Sequence, residues 1–151
     1  MIETIRRLFA EIGRRGDKAI VDDAELRLAV AALLFHVVSI DGVVSDDERK
    51  KLAQLLKRRF DLDPEQTGPL VAAAETADAE AVDLYGFTSV LKRRLDPADR
   101  ERMVEMMWKL VFADGVVHEF EDNVVWRVAE LLGVSTQARI RLKQAVRDDG
   151  G

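Results

Sequence analysis

Cysteine is absent from this chain. That excludes disulfides, thiolate metal centres and cysteine nucleophiles, and it suits a reducing compartment. Proline and glycine are scarce, at 3 and 9 of 151 residues, and no low-complexity block interrupts the sequence, so the composition is that of an ordinary globular chain. Positive charge is also in deficit. The formal net charge of −5 argues against general nucleic-acid binding, which needs a basic face. The local exception is the cluster Arg6, Arg7, Arg14, Arg15 and Lys18.

Long hydrophobic runs are missing as well. The longest, Leu28 to Ile40, contains His36 and is too short to cross a bilayer. Glu3, Arg6 and Arg7 break up the first residues, so they do not read as a signal peptide. A cytoplasmic protein is expected. No stretch alternates at period two, which predicts no sheet. The catalytic signatures are absent too. There is no His-Glu-x-x-His, no Glu-x-x-His pair, no Gly-x-Ser-x-Gly and no phosphate-binding glycine loop, and no enzyme activity is expected.

What remains is helix. Ile2, Ile5, Leu8, Phe9 and Ile12 recur at three- and four-residue spacing, the mark of an amphipathic helix. With Arg6 and Arg7 beside its stripe, residues 1–15 could lie on a membrane surface, although packing on the chain's own bundle is the commoner use of such a helix. Asp22-Asp23-Ala24-Glu25 reads as a capping signal for a helix running to about Ile40, apolar on nearly all faces from Leu28 onward and therefore central. Ser45-Asp46-Asp47-Glu48 opens the next helix, to about Arg59. Asp63-Pro64 opens another, ending near Glu75, because proline suits the first helical position. A further helix covers roughly residues 83–95. Asp96-Pro97 opens a second central helix ending near Ala113. One more follows to Gly133, and Ser135 caps the last, to about Arg147. The division is an amphipathic helix and linker over 1–21, a helical domain over 22–147 and a loose tail over 148–151.

Two acidic turns repeat. Residues 41–48 read Asp-Gly-Val-Val-Ser-Asp-Asp-Glu, and residues 114–121 read Asp-Gly-Val-Val-His-Glu-Phe-Glu. Asp41 and Asp114 are 73 positions apart, as are Glu48 and Glu121. At the same step Leu34 matches Met107, Phe35 matches Trp108, Val37 matches Leu110, Val38 matches Val111, Leu52 matches Val125 and Leu55 matches Val128. A one-residue slip then aligns Phe60 with Leu132. The predicted fold is all-α: a compact single-domain bundle of about seven or eight helices with an internal helix–acidic turn–helix repeat, built around a pseudo-two-fold axis.

Each turn supports two readings. As scaffold, Glu48 and Glu121 occupy the third helical position and bond back to the cap. Gly42 and Gly115 supply the left-handed residue that ends a helix, and Asp41 and Asp114 bond free amides. As a site, Asp41 and Asp114 are the informative residues. A negative charge at a helix C-terminus opposes the macrodipole by about 0.3–1 kcal/mol, and both copies carry one. A divalent cation would compensate, since Asp41, Asp46, Asp47 and Glu48 offer hard oxygen ligands within one turn. The spacing is not that of an EF-hand. His36 reads as a polar position at the edge of the core, because its repeat partner is Lys109. His118 reads as an imperfect N-cap.

With these features the chain resembles the TerB-like (tellurite-resistance protein B) domain: an apolar helix ending in Asp-Gly-Val-Val, then Glu seven after the Asp, in two copies, over about residues 22–146. The resemblance implies an all-helical bacterial cytoplasmic domain with a stress-response role and action through a protein partner or the membrane surface. It also implies a divalent metal (Ca, Mg, Mn or Zn) held by Asp41, Glu48, Asp114 and Glu121. The alternative is a purely structural or adaptor bundle whose acidic turns are caps and bind no metal.

Overall fold

The computed structural model describes residues 18–40, 42, 44–113 and 119–149, with side chains from Asp23 onward. Among these residues there are seven α-helices and no strand: α1 (Lys18–Ser39), α2 (Asp46–Phe60), α3 (Pro64–Glu80), α4 (Tyr85–Arg94), α5 (Pro97–Val111), α6 (Glu119–Leu132) and α7 (Thr136–Asp148). The amphipathic pattern over residues 1–15 lies outside the described residues.

The two central helices are buried as their sequences require. From Leu28 to Val38 every α1 side chain except His36 is buried. In α5, Met103, Val104, Met107, Trp108 and Leu110 are all fully enclosed. The helices α1 and α5 touch, and α2 to α4, α6 and α7 surround them. The alanine-rich α3 lies on α1 with Ala74 and Ala77 fully buried, since small side chains let two backbones approach. The six apolar pairs matched at the 73-residue step are buried in both copies, and the slipped pair has Leu132 buried and Phe60 half-buried.

Four of the predicted starts are built as expected. The Ser45 hydroxyl accepts the Glu48 amide at 3.1 Å while Glu48 Oε1 accepts the Ser45 amide at 3.0 Å, which closes a capping box. Asp63 and Gln66 close a second box ahead of Pro64. The Asp96 carboxylate accepts the Asp99 amide ahead of Pro97, and the Ser135 hydroxyl accepts the Ala138 amide.

One expected start is corrected. The helix α1 is already formed at Lys18, so Asp22 and Asp23 lie inside it rather than at its start. The nearby acids serve a tertiary purpose instead. Glu25 accepts Arg93 at 2.6 Å, and Asp23 lies 3.9 Å from Arg94. These pairs join the start of α1 to the end of α4, so the two helices run antiparallel. The helix α3 also continues past Glu75 to Glu80.

The corners after α2 and α6 share one conformation. Asp61 is left-handed (φ 52°, ψ 55°), and the next amide, Leu62, donates to the Lys57 carbonyl at 3.0 Å. Gly133 has φ +75°, and the next amide, Val134, donates to the Ala129 carbonyl at 3.0 Å. Both are six-to-one helix-ending bonds with a buried apolar residue following the left-handed one. Asp61 and Gly133 are 72 positions apart, as are Leu62 and Val134, and the caps Asp63 and Ser135. The helix contacts follow the same exchange. α1 meets α3 as α5 meets α7, α1 meets α2 as α5 meets α6, and α2 crosses to α5 as α6 crosses to α1. Among the described helices, α4 has no counterpart in this exchange.

Candidate functional site

The first acidic turn begins where α1 stops. The Gly42 amide donates to the Ser39 carbonyl at 2.9 Å, with Gly42 at φ +86°, a backbone state that favours glycine. The helix α2 then opens with Asp46 and Asp47 exposed and Glu48 buried. Negative side chains in a first turn complement the helix dipole. Glu121 takes the equivalent place, third in α6, and is buried more deeply, at 2% exposure. Of the four candidate metal ligands, Glu48 and Glu121 are therefore inside the protein at matching helix positions. Asp41 and Asp114 lie outside the described residues, as does His118. Among the described residues, no group of three or more His, Asp or Glu side chains converges to hold a metal ion.

Beside the first turn lies a polar cluster that the sequence did not reveal. His36 Nδ1 sits 2.7 Å from Asp78 Oδ1, and the Ser39 hydroxyl donates to Asp78 Oδ2 at 3.1 Å. A carboxylate only accepts, so Nδ1 carries the proton. Asp78 is 12% exposed and His36 26%, so the carboxylate is kept mostly from water and meets two donors instead. The pair ties the last turns of α1 and α3 together. His36 was expected at the edge of the core, and it lies there. Its partner, 42 positions away, carries no local signal.

His36 and Asp78 face a cleft of about 270 Å³ that Ile40, the 81–84 loop, Val124 and Arg127 complete. Val82, on that loop, is 99% exposed. The Asp83 carboxylate is engaged by the Tyr85 amide at 3.0 Å. The Ser39–Asp78–His36 set is not a nucleophile–base relay. The Ser39 hydroxyl bonds Asp78 rather than the imidazole, so nothing draws its proton toward a base.

No helix among the described residues is long and apolar enough to cross a membrane. A family model described as "Tellurite resistance protein TerB" matches residues 27–144. The fold is similar to the crystal structure of a protein of unknown function from Porphyromonas gingivalis W83. That match has a TM-score of 0.61 and 14% sequence identity, and covers 83% of this chain and 95% of that one. No curated protein matches the sequence.

Proposed function

This chain belongs to the TerB family, and from that premise we propose a non-enzymatic domain that holds a divalent cation at its acidic turns and acts through a protein partner. The observation that supports this reading is the matched placement of Glu48 and Glu121. Both are buried at the third position of helices that open just after the two Asp-Gly turns. Asp41 with Glu48, and Asp114 with Glu121, would hold the ion. The donors are all hard oxygens, which suit calcium, magnesium or manganese better than a soft ion. The ion's contribution there is structural: it would neutralise carboxylates at helix ends and fix the two turns as a surface.

A specific observation favours a second reading. Glu48 Oε1 already accepts the Ser45 amide at 3.0 Å, so part of that carboxylate belongs to the cap. On this reading the turns are staples and the domain is an adaptor without metal.

Thermal melts separate the two. With EDTA and then with each cation in excess, a ligand at a hundred times its dissociation constant adds about 2.7 kcal/mol. The metal reading expects that gain for at least one ion and its loss in Asp41→Asn. The staple reading expects Asp41→Asn to destabilise equally with and without ions. Absence of a shift with every cation sinks the metal reading.

A further inference from the structure

The step that relates the two turns also relates two clefts. The first, at His36, is walled by α1, α3 and α6. The second, of about 310 Å³, is walled by α5, α7 and α2 through Lys109, Val146, Asp149, Lys51, Leu55 and Arg58. Lys109 stands 73 positions after His36, and Lys51 stands 73 before Val124. Each cleft takes its central and closing helices from one half of the fold and its third wall from the other.

The charge in the two clefts differs. The first presents an imidazole tied to a carboxylate, with Asp83 and Arg127 nearby. Among the described residues the second presents Lys51, Arg58 and Lys109, with the exposed Asp149 as its one acid. Lys51 and Arg58 form no ion pair among the described residues. Among the same residues Lys109 has only a half-exposed contact with Glu105 at 3.3 Å, and such pairs are weak. The C-terminal dipoles of α2 and α5 account for a cation at Arg58 and at Lys109. They do not account for Lys51, which is mid-helix, or for all three meeting around Leu55 and Val146.

We propose that this basic cleft binds a small phosphate-bearing anion, either free or as a lipid headgroup. Lysine ammonium and arginine guanidinium groups from two helices surround a space of headgroup size, and both make strong charge-assisted hydrogen bonds to phosphate oxygens. The chain's net charge of −5 repels a long polyanion as a whole, so the local field suits a compact ligand. The proposal does not depend on the cation reading of the turns, and EDTA keeps the two apart.

The test uses the full chain in EDTA at low salt, titrated with pyrophosphate by calorimetry and by amide NMR. Saturable binding is expected, with shifts confined to the residues around Lys51, Arg58 and Lys109. The double variant Lys51→Gln/Arg58→Gln changes exposed or half-exposed side chains and should keep the fold. It should weaken binding by about tenfold or more, since tenfold corresponds to about 1.4 kcal/mol. Arg127→Gln, in the other cleft, should leave the affinity unchanged. Sedimentation with phosphatidylcholine vesicles, with and without phosphatidylglycerol, separates the two sources. Binding to the anionic vesicles that pyrophosphate displaces marks a headgroup, and pyrophosphate binding alone marks a free anion. No saturable binding to either probe, or an undiminished affinity in the double variant, overturns the proposal.

Discussion

Exchanging the residues at the two left-handed corners should shift stability in opposite directions. Asp61 and Gly133 occupy equivalent places after α2 and α6, but only glycine adopts that conformation freely. A left-handed L-residue is strained by roughly 1–2 kcal/mol in general, and Asp tolerates the region better than most. Asp61→Gly relieves that strain. It also removes a negative charge from a helix C-terminus, a gain of about 0.3–1 kcal/mol. Against this, glycine's greater freedom in the unfolded chain takes back about 0.4–1 kcal/mol. The net expectation is stabilisation by about 1 kcal/mol, or a rise in Tm of about 2–4 °C for a chain this long. Gly133→Asp should lower stability by a similar amount. A Cβ built at Gly133 meets nothing within 4 Å, so the loss would come from the backbone and the added charge, not from a clash. Urea melts followed by circular dichroism, with the double exchange as a third sample, provide the measurement. The double variant should fall near the wild type, because distant sites add. Two shifts of the same sign would refute the equivalence of the corners, and so would a loss in Asp61→Gly.

Four further outcomes follow from the packing and the caps. Trp108→Ala should cost about 3–5 kcal/mol in a denaturant melt, because the ring is fully buried and packs against Phe112 and Lys143. Trp108→Phe should cost much less than its volume suggests, because the buried indole N–H has no acceptor among the described residues and losing such a donor recovers about 1–3 kcal/mol. Ser45→Ala and Glu48→Ala should each cost about 1 kcal/mol, and the double variant should cost less than their sum, since both act in one box. Arg139→Lys should not rescue Arg139→Ala in thermal stability. The Arg139 guanidinium bonds the Val134 carbonyl and Glu130 together, each at 2.8 Å, and an ammonium lacks that fork.

Much of the fold was legible because its signals are local. Ser45 with Glu48, Asp63 with Pro64, Asp96 with Pro97, and Ser135 each solve the problem of free amides at a helix start, within four residues of sequence. Asp23 is of the same residue type but serves another end. Asp23 and Glu25 meet Arg94 and Arg93, some 70 positions on, and no short window distinguishes such acids from caps. Asp61 was invisible because left-handed corners are usually read from glycine, and here aspartate takes the place. The site was legible in a similar proportion. The buried third-position glutamates follow from spacing, whereas the His36–Asp78 pair and the basic cleft are assembled from helices distant in sequence. Neither leaves a motif.

The crossing of α2 to α5 and of α6 to α1 has a consequence for how the two clefts came to differ. A pair of identical half-chains closed about the same axis would carry one side chain at both positions of every related pair. The residue at 36 and the residue at 109 would then be the same. Joining the halves in one polypeptide keeps them at high effective concentration without a second subunit, and it also lifts that identity. Each wall is then free to change alone, so one cleft can hold an imidazole–carboxylate pair while its counterpart gathers cations. The asymmetry of charge is a property that a pair of identical half-chains could not have.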